Sequence, residues 1–338
     1  MQSLEAGLNS TELLPPPGDE EALAIAGALE PLCGGPVYPR SLAARDGVLY
    51  FLCRRAGERR LGLLSREPRA VGLGFTGSQE RVAWGGQSLV LQLCLPEHGN
   101  AAALRRALPF TAPGLLGLAK SAGCGDRLGL ATPGHIRALR GMGLRPILAQ
   151  QSIREMVRTQ RTPEQVLDDA TWGVFQEGWR AGYGADADHL KTAADVDLCV
   201  AAGFTFFTID PGDHVDNAAE TDSPATLAAK VEALPWSRLE SSPRALRQSY
   251  VGRSFDLGPG LELTLDDEAW ARAAAKYGRA IAHTVALYRH LAERMAGRPF
   301  ELEMSVDETA TPTRAAEHLF VASELQRLGV RWVSLAPR

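Results

Sequence analysis

The stretch 182–216, GYGADADHLKTAADVDLCVAAGFTFFTIDPGDHVD, limits the fold more than any other part of the chain. It holds two short apolar runs, Tyr183–Ala187 and Phe204–Ile209, each ending in a burst of ionisable residues. The first burst is Asp186, Asp188, His189 and Lys191; the second is Asp210, Asp213, His214 and Asp216. Between them Val196, Cys199 and Val200 form the apolar stripe of a helix. Strand, polar end, helix, strand, polar end is the rhythm of a parallel α/β fold. In barrels of that kind the carboxyl ends of the strands face the active site.

The same rhythm extends over the second half of the chain. Strands are expected at Arg127–Ala131, Pro146–Gln150, Tyr183–Ala187, Phe204–Ile209, Phe300–Ser305 and Arg331–Leu335. Helices are expected at Pro133–Gly141, Pro163–Glu177, Ala193–Ala202, Ser223–Leu234, Asp266–Ala296 and Pro312–Leu328. Pro133, Pro163 and Pro312 each follow a threonine, an N-cap-then-proline start. Gly141, Gly203 and Gly329 suit helix C-termini. Six strand–helix units make an incomplete (β/α)8 TIM-like barrel, about six of eight units. Arg127–Ala131 and Arg331–Leu335 would then be its open edges, and the chain reads as a C-terminal truncation. The alternative is an open doubly wound sheet. Ahead of the barrel, apolar runs at Val48–Cys53, Leu61–Leu64, Ala70–Leu73 and Ser88–Leu95 alternate with turns. They predict a small antiparallel β region in an N-terminal extension over 1–120, with the partial barrel, the catalytic domain, over 121–338.

Bulk properties exclude several classes. With 338 residues, 45% hydrophobic and 22% charged, the chain is an ordinary globular one. A net charge of −4 offers no basic field for nucleic acid. No apolar run reaches the length of a membrane span, and the N-terminus does not read as a signal peptide. Five scattered cysteines without a CxxC pair argue for reduced thiols in the cytoplasm. Of 36 basic residues only Lys120, Lys191, Lys230 and Lys276 are lysine, so Lys191 inside the first polar burst is worth noting.

Each polar cluster has a chemical reading and a plain one. Asp188-His189 at a strand end would supply a general base and a metal ligand; the plain alternative is a helix N-terminus with acidic caps. Asp210-Pro211-Gly212-Asp213-His214 is good turn chemistry whatever the function, though Asp210 and Asp213 fall at a second strand end and His214 is a candidate substrate contact. In Glu301–Val306 the residues alternate, so Glu303 and Ser305 would face into the barrel and Leu302, Met304 and Val306 the helices. An inward carboxylate needs a partner or a role. Asp307 and Glu308 continue toward the mouth, and the alternative is a surface edge strand. Gln150 ends another strand and is a candidate partner for sugar hydroxyls. Gly72–Gly77 lacks the lysine and spacing of a phosphate loop.

Taken together, GADADHLKTAADV, GFTFFTIDPGDHVDNAA, ELEMSVDETATPT and GVRWVSLAPR resemble the tagaturonate epimerase family. The resemblance implies an enzyme that interconverts the ketohexuronates D-tagaturonate and D-fructuronate with a divalent metal cation. It places the proton acceptor on Asp188, a metal ligand on His189 and the proton donor on Glu303, with Asp307 and Glu308 close by. It also implies chains that continue past Arg338, where the remaining metal ligands would lie. Lys191 would pair with the substrate carboxylate. Two other functions stay open at this point. One is a metal-dependent aldolase or isomerase on the same barrel; the other is a non-catalytic sugar-acid-binding relic.

Overall fold

The computed structural model describes residues 8–67, 73–84 and 86–338. It divides into two compact units, 1–186 and 187–338. The division falls within strand β8, which closes the first unit and opens the second.

The first unit is built on an antiparallel sheet of β1 (Ala43–Arg45), β2 (Val48–Arg55), β3 (Glu58–Ser65), β4 (Gly77–Trp84) and β5 (Gln87–Cys94), in the order β1-β2-β3-β5-β4. The run Val48–Cys53 is buried throughout because both faces of the sheet are covered. Leu49, Phe51 and Cys53 pack with Ile25 and Leu29 of helix α1 (Asp19–Cys33). Val48, Tyr50 and Leu52 pack with Leu104 of α2 (His98–Ala107) and with Trp172 and Phe175. The alternation of side chains along a strand sends the two sets to opposite faces. Gly62 on β3 lies under the Phe51 ring, whose carbons would stand 2.2–2.7 Å from any Cβ there. The expected strands at 48–53, 61–64 and 88–95 are present, and β4 adds one that the apolar pattern does not show. Its residues GSQERVAW are almost all exposed, as an edge strand permits. The expected run Ala70–Leu73 lies outside the described residues except for Leu73, which sits in a turn.

The parallel sheet contains β6 (Ser121–Gly123), β7 (Arg145–Ser152), β8 (Gly184–Leu190), β9 (Phe206–Ile209), β12 (Glu301–Val306) and β13 (Ser334–Pro337). Two further short strands, β10 (Ser254–Asp256) and β11 (Glu262–Thr264), form a separate hairpin. The strand order β6-β7-β8-β9-β12-β13 follows the chain without reversal. A doubly wound sheet needs a reversal of order, so the sequence of strands is that of a barrel, six units of it. The intervening helices are α3 (Thr132–Leu139), α4 (Ile153–Thr159), α5 (Pro163–Gln176), α6 (Ala193–Ala202), α7 (Pro224–Glu232), α8 (Pro243–Tyr250), α9 (Asp267–Met295) and α10 (Ala315–Arg327). Trp172 and Phe175, which pack against the antiparallel sheet, come from α5.

One expected strand is wrong. Arg127–Ala131 is a turn, and the edge strand is β6, a few residues earlier, paired in parallel with β7. The cause is Asp126. Its buried carboxylate accepts backbone N–H groups from Leu128 (3.3 Å), Leu130 (3.0 Å), Ala131 (2.8 Å) and Thr132 (3.0 Å). Amides gathered on one side chain cannot join a ladder, so the segment becomes the cap of α3. Leu128 and Leu130, whose spacing suggests a strand, are exposed.

Burial alone would push the Asp126 carboxyl up, but these amides outweigh it and hold it below the usual range. Its contribution to stability is therefore complete above the ordinary carboxylate range and is lost as pH falls through the depressed value. Asp126→Ala is expected to cost about 2 kcal/mol, by the loss of a helix cap and its amide partners. Denaturant unfolding at neutral pH checks this, and the deficit should shrink in acid.

Candidate active site

The second unit places its polar residues at the carboxyl ends of β8, β9 and β12. The first burst does not follow β8 but lies within it: the strand runs on to Leu190, taking in Asp188 and His189. A regular strand would turn these two side chains to opposite faces. His189 breaks the alternation with a φ of +53°, a left-handed conformation that side chains rarely adopt and that clusters at functional sites. Its ring lies with Nε2 3.7 Å from Asp188 Oδ1 and Nδ1 3.3 Å from Asp210 Oδ2.

Asp210 follows β9 and is nearly inaccessible, at 5% exposure. Its backbone N–H donates to the Leu190 carbonyl at 2.9 Å, which continues the backbone pairing past the end of β9. Oδ1 accepts the Gly212 N–H at 2.8 Å, the Asx turn that the sequence suggests. A Cβ on Gly212 would meet that oxygen at 2.8 Å, so glycine lets the turn close. Oδ2 faces His189 and, at 3.6 Å, the Lys191 ammonium. The turn chemistry and the ionic chemistry thus use different oxygens of one carboxylate. Burial would push Asp210 up, yet His189, the Gly212 amide and Lys191 outweigh it and hold it below the usual range. Conversely the Asp210 hydrogen bond, against the opposing effect of burial and with help from Asp188 and Asp307, raises His189 from 6.5 to about 9. The imidazole is a cation at neutral pH.

Glu303, the third residue of β12, pairs in register with Thr208 of β9 and Ser334 of β13. Leu302 and Met304 on either side of it are buried, and so are Glu301 and Ser305 two positions away. Burial raises the Glu303 carboxyl above its ordinary value. The Ser334 hydroxyl opposes this, the Asp188 and Asp307 charges add to it, and His189 offsets part. The cluster therefore holds one carboxyl with raised proton affinity, Glu303, and an imidazolium facing Asp188 and Asp210. Asp307, just past the strand, accepts a hydrogen bond from Ser305 at 2.8 Å. Glu308 lies in the exposed turn after it.

The remaining candidates fall at the rim or elsewhere. Lys191 reaches Asp213 at 3.1 and 3.2 Å in an exposed pair. His214 is exposed and packs against His283, with ring centres 4.1 Å apart and the planes tilted by 31°. Gln150 belongs to the first unit, where it donates to buried Asp186 at 3.0 Å. The helix that follows β8 is capped by Thr192 and Asp195 in a reciprocal box, so capping of α6 does not account for Asp188 and His189. Two contributors carry no recognisable sequence signal. Ser334 is an unremarkable residue of the last strand, and His283, which donates from Nε2 to the Lys191 carbonyl at 3.0 Å, lies in the middle of a long helix.

A family model described as tagaturonate epimerase matches residues 38–338. The chain belongs to the tagaturonate epimerase family. A tagaturonate/fructuronate epimerase of Thermotoga maritima is 39% identical over 305 residues, which are 90% of this chain and 60% of that protein. A glycerol-complexed crystal structure of a fructuronate-tagaturonate epimerase from Cohnella laeviribosi superposes with a TM-score of 0.80 at 35% identity, covering 95% of this chain and 62% of that one. The native crystal structure of that enzyme gives 0.79 at the same identity. The chain thus spans about three fifths of the length of the relatives it matches.

Metal-ligating histidines commonly donate their second ring nitrogen to a carboxylate, which is how Asp210 holds His189. That leaves Nε2, once the imidazolium gives up its proton, and Asp188 beside it as donors to a divalent cation. Among the described residues no group of three or more histidine, cysteine or acidic side chains is arranged to hold a metal.

The His189 charge state is directly measurable. Ring-proton NMR should show it titrating near 9, and Asp210→Asn should return it toward 6.5. Because the folded value is raised, the stabilisation from His189 is complete below about 6.5 and fades as pH rises through about 9. His189→Gln should accordingly differ from the parent protein in stability at neutral pH and approach it in strong base.

Proposed function

We propose that the cluster at the ends of β8, β9 and β12 is the proton-transfer site of an epimerase that interconverts D-tagaturonate and D-fructuronate. The observation that carries this reading is Asp188 and Glu303 lying around one imidazolium, with Glu303 favouring its protonated form. The family model that matches residues 38–338 and the similarly named relatives support it.

The two ketohexuronates differ at carbon four, which is β to the carbonyl at carbon two. The hydrogen at carbon four is not acidified by that carbonyl, so enolisation does not invert the centre. Cleavage between carbons three and four does, if the aldehyde fragment turns and adds back through its other face. Asp188 takes the proton from the hydroxyl at carbon four as the bond breaks. His189, already cationic, stabilises negative charge beside it in a partly dehydrated setting. After re-addition Glu303 delivers its proton to the new alkoxide. Lys191, at the exposed rim, is placed to meet the substrate carboxylate as a point charge. A divalent cation, when bound, would supply Lewis-acid stabilisation of the enediolate; His189 Nε2 would join Asp188 in holding it by giving up its proton, and the cation would then replace the positive charge that the imidazolium supplies in its absence.

The test is product analysis by NMR of purified protein supplied with either sugar acid and a divalent metal salt. Interconversion without three-carbon fragments is expected; accumulation of fragments would make the protein an aldolase, and binding without turnover a sugar-acid-binding protein. Asp188→Asn and Glu303→Gln should each lower kcat by roughly 10²–10⁴-fold, the range for general acid–base groups, with smaller changes in KM. Full activity in either variant would remove that residue from the mechanism.

A further inference from the structure

Beyond the His189 cluster, four basic side chains surround a second cavity in the same unit, of about 290 Å3. His214 comes from the turn after β9, Arg238 from the segment after α7, and Arg279 and His283 from α9, one helical turn apart. Ala233, Pro235 and Ala282 complete the lining, which contains no carboxylate.

The guanidinium groups are the unusual part. Elsewhere on α9, Arg272 pairs with Glu268, Arg289 with Glu240 and Arg294 with Asp197. Among the described residues neither Arg238 nor Arg279 has such a partner. Asp210 and Asp213, whose charges act on His283, are already engaged: Asp213 by the Lys191 ammonium at 3.1 Å, and Asp210 by His189. Two exposed guanidinium groups without a carboxylate partner, beside two imidazoles whose rings are tilted by 31°, give the cavity an uncompensated positive charge that an anion would neutralise. Burial and the neighbouring His214 also hold His283 below its ordinary proton affinity.

We propose that this cavity binds a phosphate dianion, free or as the end group of a small sugar phosphate. Guanidinium forks match phosphate oxygens two at a time, and two of them balance a phosphate of charge about −2, whereas a single carboxylate leaves one charge over. The cavity also has room for a small body beyond the phosphate. This inference does not rest on the epimerase reading.

The test is calorimetric titration of the 338-residue protein with inorganic phosphate, a hexose 6-phosphate and D-galacturonate. Saturable binding of phosphate is expected. The double substitution Arg238→Ala with Arg279→Ala should weaken it at least tenfold without changing the melting temperature, since both side chains are exposed. Tighter binding of the hexose phosphate would identify a metabolite as the ligand, and equal binding would identify free phosphate. His189→Ala should leave the affinity unchanged. The proposal is overturned if phosphate does not saturate, if the double variant binds equally well, if His189→Ala abolishes binding, or if galacturonate displaces phosphate at equal concentration.

Discussion

The ion pair between His189 and Asp210 is the constraint on which the site depends. It joins the ends of two neighbouring strands, and each partner serves several others. Asp210 closes the turn to Gly212, fixes the His189 ring and faces Lys191, while its own N–H extends the pairing of β9 with β8. His189 accepts a left-handed backbone to reach it, and that conformation persists only because the surroundings over-determine it. Once the imidazolium is fixed, the placement of Asp188 beside it follows. The proton affinity of Glu303 follows from a different cause, its burial in β12.

A second polar network secures the segment between β9 and α7. Lys276 of α9 is completely buried and donates to Glu317 at 3.1 and 3.2 Å and to Thr311 at 3.1 Å, with Glu220 at 3.4 Å. Arg272, one turn earlier, donates to the carbonyls of Ala219 and Glu220, and the Lys276 carbonyl accepts the Asp216 N–H. A buried ammonium is tolerated only with such partners. The effect is to tie the loop that carries Asp213 and His214 to the longest helix of the unit. Rim residues on a loop thereby acquire some of the positional precision of a helix.

Much of this was legible in the sequence, and the exceptions have physical reasons. The alternation of strands and helices came through because each element keeps its own apolar period, and the barrel order of the strands agrees with it. The alternation expected along β12 does not appear as alternating burial: Glu301 and Ser305 are buried like Leu302 and Met304, and only Glu303 is half-buried. Spacing misled at Arg127–Ala131, because one carboxylate, Asp126, gathers the amides that a strand would need. Polar β4 carries no apolar signal because an edge strand has no need of apolar residues. The bend at His189 was invisible, since a residue's φ is set by tertiary partners rather than by its own type. Lys276 has no sequence signal either: Lys191 stands among polar neighbours, whereas Lys276, which is fully buried, lies in an ordinary helical stretch.

The central claim is that this cluster moves a proton on oxygen, between Asp188, the carbon-four hydroxyl and Glu303, and not a proton on carbon. Epimerisation run in D2O, with carbon four of the product examined by NMR, tests it most directly. The account predicts that carbon four keeps its original hydrogen through bond cleavage and re-addition. Deuterium at carbon four would contradict it, and would mean that the carboxylates abstract and replace a carbon-bound proton instead.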